Sequence, residues 1–216
     1  MPAFAFTRQP GALQWFRTGR GGAVLAAEAP LALQALAARV PQPWLWLAPP
    51  GEPAALPPDA PPRGLLLRRG EGDALTGPVR CNLSLPLPTE TMGMVVVQHV
   101  QEAEGGEALL EECARVLQPG GRLCLFALNP FSPYRLRWRK SGLAVRDPAG
   151  WQERLREHGL TPLGPASPCG PVWRGAQPAR WPAGLRAACL VQAEKRVANL
   201  IPPAPARRAW RAAPAS

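Results

Sequence analysis

Two histidines, five cysteines and fifteen carboxylates are the groups in this 216-residue chain that could move protons, ligate a metal or attack an electrophile. The cysteines, Cys81, Cys113, Cys124, Cys169 and Cys189, are odd in number and widely spaced, and none forms a CxxC pair. That spacing suggests neither a disulfide framework nor a zinc knuckle, so core thiols and no metal are expected. His99 stands near the end of the apolar run Met92 to Val100. An imidazole at a strand end can take a proton from an oxygen or nitrogen acceptor, pack against a cofactor, or serve the core. His158 falls in the last turn of a helical pattern, where a solvent-facing cap is expected. Arg135-Leu136-Arg137-Trp138-Arg139-Lys140 interleaves cations with an aromatic. It reads either as a phosphate-contacting, stacking surface or as a solvated face. Trp151, Trp173 and Trp181 read as core and loop packing.

The elements that must hold these groups follow from periodicity. Met92 to Val100 is apolar without alternation, the pattern of a strand covered on both faces. Glu102 to Leu117 then puts Leu109, Leu110, Cys113, Val116 and Leu117 on one helical face, with Glu111 four residues before Arg115 on the other. Gln118-Pro119-Gly120-Gly121 stops that helix, and Arg122 to Leu128 resumes as a strand. Strand, helix and strand make a βαβ unit, so the two strands are expected to be parallel neighbours. Further parallel strands are expected at 43–48, 64–68 and 78–83, with closing strands at 160–163 and 185–193. Trp15 to Val40 reads as helical, with Pro30 opening a second short helix at its first position. Asp147-Pro148 caps another helix that Gly159 terminates. Gly164 to Gly184 reads as an irregular loop. Residues 1–201 are expected to form one α/β domain, followed by a disordered Pro/Ala/Arg tail over 202–216.

Charge divides the chain. Residues 1–134 hold 10 basic and 11 acidic residues, whereas 135–216 hold 15 basic and 4 acidic, which accounts for the net charge of +10. No run approaches the roughly 18 apolar residues of a membrane span, and Met1 to Pro10 lacks a signal-peptide layout, so a soluble cytoplasmic protein is expected.

The segment Leu85-Pro86-Leu87-Pro88, Met94 to Glu102, Leu109 to Glu112 and Arg115-Val116-Leu117-Gln118-Pro119-Gly120-Gly121-Arg122-Leu123 resembles class I S-adenosylmethionine-dependent methyltransferases of the type 11 group. Trp15-Phe16, Thr18, Gly21, Glu28, Asn129-Pro130, Ser132 and Ala193 to Val197 are similar to a subgroup of small bacterial members. The resemblance implies a Rossmann-like, mostly parallel, seven-stranded sheet with helices on both faces, S-adenosylmethionine as cofactor and a small-molecule acceptor. It places cofactor contacts at Leu47, Ala48, Gly51, Arg68, Asn82, Leu83 and Gln98, and the catalytic base at His99. Gln98, His99, Asn129 and the 164–184 loop fall on its substrate side.

The family's usual motifs are altered here. Its glycine loop after the first strand becomes Leu47-Ala48-Pro49-Pro50-Gly51-Glu52, in which two prolines lack amide donors. Its ribose-binding carboxylate after the second strand is replaced by Arg68 and Arg69, with Glu71 and Asp73 displaced, and Asn82 stands nearest its adenine-binding Asp. Asn129-Pro130-Phe131-Ser132-Pro133-Tyr134 is similar to an NPPY signature but follows the fifth strand rather than the fourth, so it is expected to be a loop. Two other readings remain open. One is a catalytically silent relative acting as a binding or scaffold module. The other, less favoured, is a nucleic-acid-binding protein using the basic C-terminal part. Sequence does not choose between monomer and homodimer.

Overall fold

The computed structural model describes residues 11–39, 41–51, 57–70, 72–173 and 183–196. A 3₁₀ turn (Ala12–Arg17) leads into helix α1 (Gly19–Ala37) and strands β1 (Trp44–Ala48), β2 (Gly64–Arg69), β3 (Leu75–Thr76), β4 (Arg80–Cys81) and β5 (Met92–Gln98). After a second turn (Val100–Glu102) come helix α2 (Gly106–Val116), strand β6 (Leu117–Leu128), a third turn (Pro133–Arg137) and helix α3 (Pro148–Glu157). Strands β7 (Leu160–Pro162), β8 (Ser167–Val172) and β9 (Arg186–Lys195) close the described chain. All the strands join one sheet in the order β4-β3-β2-β1-β5-β6-β9-β7, with β8 also on β9. The result is a mixed α/β, Rossmann-like sheet.

Its centre is parallel, and the crossover connections that make it so also leave its strands covered on both faces. Every residue of β1 and β5 is buried, and β5 runs parallel between β1 and β6, with Val95 opposite Leu45 and Leu123. The expected βαβ unit is therefore present. Alternate residues face opposite ways: Met94, Cys124 and Leu190 line a space with α1, while α2 and α3 share the other face, where Glu107 meets Arg154 at 3.3 Å. The LPLP step and the RVL-x-PGG helix hold each other. Arg115 pairs with Glu112 at 2.8 Å and donates to the Leu85 and Leu87 carbonyls, while the Leu85 amide donates to Glu112 at 2.8 Å. The Arg115 hydrogen bond keeps the half-buried Glu112 carboxyl below its usual range.

Several expectations are corrected. A parallel third strand over 78–83 does not form. Parallel pairing needs a crossover of a dozen or more residues, and the short stretch after Arg69 allows only a return hairpin. Thus β3 is antiparallel to β2, and β4 is a two-residue antiparallel strand beside it. Among the described residues the sheet has nine strands rather than seven, parallel across β2-β1-β5-β6 and antiparallel at both edges. Pro30 opens no second helix. It lies inside α1 on an exposed face, where water can satisfy the carbonyl its ring leaves without a donor. Glu102 belongs to a 3₁₀ turn before α2 rather than to that helix. The Gln118 to Gly121 stop is a bulge inside β6, since Leu117 already pairs with Met92 and Gly120 takes φ +72°. The 164–184 loop contains β8. His158 is partly buried 3.5 Å from Glu107 rather than facing solvent. Cys113, Cys124, Cys169 and Cys189 are buried free thiols, and Cys81 is half-buried. Trp151 is core, whereas Trp173 is 37% exposed. Val40, Glu52, Glu71, Trp181 and the tail over 202–216 lie outside the described residues.

Candidate active site at the carboxyl edge

The chain leaves β5 through His99, whose φ of 57° is a left-handed conformation uncommon for a non-glycine residue. Such strain persists only where the surroundings over-determine it. Here the His99 amide donates to the Phe126 carbonyl, and the Glu102 amide donates back to His99. The ring lies between two carboxylates. Its Nδ1 is 3.0 Å from Glu102 and its Nε2 is 2.9 Å from Glu28, while the Phe16 ring stacks on it at 4.7 Å. Gln98 donates to Glu28 at 2.9 Å and accepts from the Trp46 indole at 3.3 Å, and the Leu128 amide donates to Glu102 at 2.7 Å. Glu28, His99 and Glu102 have no solvent exposure. Four segments, α1, β1, the end of β5 and the end of β6, therefore meet through one buried polar network.

Desolvation alone would favour a neutral ring, but the Glu28 and Glu102 carboxylates outweigh it and raise the His99 pKa to about 10. Burial also raises the Glu102 pKa, against the opposing pull of His99 and the Leu128 amide. Protonated His99 has two N–H donors and two carboxylate acceptors, a matched set. An imidazolium in that setting has no free lone pair with which to take a proton.

At the neighbouring strand ends, β1 and β2 lie side by side, with Ala48 paired to Arg68 and Leu47 to Val97. The Arg68 guanidinium reaches across and donates to the Pro49 carbonyl at 3.2 Å, and burial lowers its pKa. A Cβ on Gly51 would meet nothing nearer than Arg68 Nη1 at 3.8 Å, so backbone here is open to approach. Arg69 is 2% exposed. It donates to the carbonyls of Gly72, Val100 and Glu104 and pairs with Asp73 at 3.1 Å. It thereby fills the space between the ends of β2 and β5. Leu83 is buried, and a Cβ on Gly105 would lie 3.1 Å from it. Asn82 is exposed and outside any strand.

Leu47, Ala48, Gly51, Arg68, Gln98 and His99 are thus gathered at one edge, with Leu83 beside Gly105 and Asn82 exposed just beyond β4. Glu28 and Glu102 complete the His99 environment and had no assigned chemistry in the sequence. The available signal was a carboxylate between Leu25 and Leu31 on the apolar face of a helix, since an unpaired acid is almost never fully buried. Asn129 is a loop staple. Its side chain donates to the Gly184 and Arg186 carbonyls and accepts from the Phe131 amide. A separate cavity of about 420 Å³ lies away from this edge, between α1 and the sheet, with Arg39 and Arg122 beside Leu31, Met94, Cys124 and Cys169.

No family model matches the sequence, and no curated protein does. Solved structures share the fold. A chain of the complex between the Haloferax volcanii Trm112 methyltransferase activator and a methyltransferase superposes with TM-score 0.52 at 14% identity, covering 88% of this chain and 99% of that one. An S-adenosylmethionine-dependent methyltransferase of Thermotoga maritima, described as a possible histamine N-methyltransferase, superposes with TM-score 0.50 at 13% identity, covering 85% and 94%. Methyltransferase-like architecture is therefore common to this chain and these proteins.

Proposed function

We propose that this chain is an S-adenosylmethionine-dependent methyltransferase for a small-molecule acceptor, and that it holds the cofactor chiefly by its amino-acid end. The observation that carries this reading is the Arg68 guanidinium, brought from β2 to the Pro49 carbonyl beside the open Gly51. A guanidinium suits a carboxylate, a backbone carbonyl suits an ammonium, and a glycine admits close approach. That donor set fits the methionine end. The adenosine end fits poorly, because no carboxylate ends β2 and Arg69 occupies the space beyond it.

When bound, the cofactor supplies an already electrophilic methyl group, so the protein's part is alignment and exclusion of water. Leu47 and Ala48 are buried and present the end of β1 as a dry, fixed edge. Gln98, held by Glu28 and Trp46, fixes the end of β5. His99 acts as a positioning residue in this reading: clamped as an imidazolium, it locks β5 against α1 and β6. An acceptor nitrogen that is unprotonated near neutral pH, whose free lone pair needs no protein base, is the acceptor chemistry that such a site serves best.

A second reading has its own observation. Arg69, buried and bonded to several acceptors, takes room an adenosine would need, which favours a silent relative kept for binding. Binding of S-adenosylmethionine by two variants separates the readings. Arg68→Ala is expected to weaken it by roughly 10- to 150-fold, the value of a charge-assisted hydrogen bond, while Asn82→Ala stays within about twofold. No binding by the parent chain selects the silent relative, and a larger loss at Asn82 than at Arg68 places recognition at the adenine instead.

A further inference from the structure

We propose that the segment leaving β6, from Phe131 to Lys140, is a docking surface for an anionic lipid membrane. Four large apolar side chains are exposed among the described residues; two lie in this segment, Phe131 at 74% and Leu136 at 55%, and a third, Trp173 at 37%, packs against its Arg137. Scattered exposed hydrophobes need no explanation, but a cluster on an otherwise well-packed molecule marks an interaction surface. Cations surround it. Arg135, Arg139 and Lys140 are exposed, and no ion pair among the described residues engages Arg135, Arg137, Arg139 or Lys140. Elsewhere on the surface, arginines such as Arg122, Arg146, Arg154 and Arg156 do meet carboxylates. Among the described residues, this segment gathers several cations outside any ion pair around outward apolar tips, whereas the other exposed apolar side chain, Val79, stands singly beside Arg80.

The segment is also firmly anchored, as an insertion surface must be. Arg137 lies between the Tyr134 ring at 4.6 Å and the Trp173 ring at 4.5 Å, and donates to the Trp173 carbonyl. The Tyr134 hydroxyl donates to the Arg20 carbonyl, Ser132 donates to Leu185, and the Trp15 indole donates to the Arg137 carbonyl. Phe131 and Leu136 therefore project from a segment tied to the first 3₁₀ turn, to α1 and to Leu185 just before β9. Apolar tips ringed by Lys and Arg are the features of a surface that lies on an anionic bilayer without crossing it. No helix among the described residues is long and apolar enough to cross one.

A nucleic acid would be drawn by the same charge, but it requires stacking platforms. Trp138 is only 7% exposed, and Arg137 covers one face of Trp173. Of the two most exposed tips, Leu136 has no ring to stack, and an aliphatic tip suits an acyl boundary better than a base. The lipid surface is the better match.

The test is co-sedimentation of the full chain with vesicles of pure phosphatidylcholine and with vesicles containing about a quarter phosphatidylglycerol. Retention is expected only on the latter. Replacing Arg135, Arg139 and Lys140 together with Gln should lower partitioning about a hundredfold, at roughly fivefold per surface cation. Phe131→Ser with Leu136→Ser, which leaves the charge unaltered, should lower it by roughly tenfold or more. All five side chains are exposed, so both variants should melt with the parent chain. Absence of retention on the anionic vesicles overturns the proposal. So does unaltered retention of the Phe131/Leu136 variant, which would mean attraction by net charge alone. Binding to a short DNA duplex with no retention on vesicles would assign the surface to nucleic acid instead.

Discussion

Replacing Glu28 with Ala is expected to lower the melting temperature by roughly 6–20 °C. The substitution leaves a fully buried imidazolium facing Glu102 alone and removes the shorter of the two hydrogen bonds that Gln98 donates. Breaking one side of a buried ion pair costs about 3–5 kcal/mol, and each kcal/mol moves the midpoint of a chain this size by about 2–4 °C. Because whole domains are stable by only about 5–15 kcal/mol, the loss is a large fraction of the total. Glu28→Gln keeps an oxygen acceptor for one ring nitrogen and is expected to lose markedly less. A thermal melt of the three proteins checks this. A midpoint for Glu28→Ala within about 2 °C of the parent chain would mean that the network does not hold α1 to the sheet.

Raising the pH should destabilise the protein through the same network. The folded pKa of His99, about 10, lies above its ordinary value of 6.5. A raised folded pKa gives stability that is fully present below 6.5 and is lost as pH climbs through about 10. The raised Glu102 pKa acts with the same sign, its contribution falling as pH rises above the ordinary carboxyl value of 4.5. The effect should be on the order of a few kcal/mol, since a tenfold change in proton affinity is worth about 1.4 kcal/mol. Denaturant midpoints are therefore expected to fall steadily from near neutrality to about pH 10, and to fall much less in His99→Gln. Equal slopes for the two proteins would show that His99 is not the titrating group.

Sequence exposed the centre of this fold because its physics there is local. A fully apolar strand, an amphipathic helix and a returning strand define a βαβ unit without reference to anything distant. The hairpin at β3 and β4 was illegible, since two-residue strands carry no period. Strand β8 was hidden by Pro168, Gly170 and Pro171, which argue against a strand unless it lies at an edge, where a missing amide donor does no harm. It does lie there, paired among the described residues with β9 alone. Pro30 misled for a related reason: a proline ends a helix only when the lost bond has no alternative partner.

The candidate site was legible in part. His99 stood out as a lone titratable group at a strand end, but what determines its chemistry is Glu28, seventy-one positions away in the chain. No local pattern joins the two. Arg68 and Arg69 were visible as departures from a carboxylate, yet their divergent fates were not. One reaches a loop carbonyl at an open edge, and its neighbour is sealed inside the sheet's rim. Alternation along β2 accounts for the split, because successive side chains point to opposite faces.

Calorimetric titration of the parent chain with S-adenosylmethionine, and in parallel with adenosine, tests the central claim most directly. Recognition through Arg68 and Gly51 predicts a saturable heat with S-adenosylmethionine and none with adenosine over the same concentrations. Saturable adenosine binding would contradict recognition by the amino-acid end, and no heat with either ligand would contradict the methyltransferase reading itself.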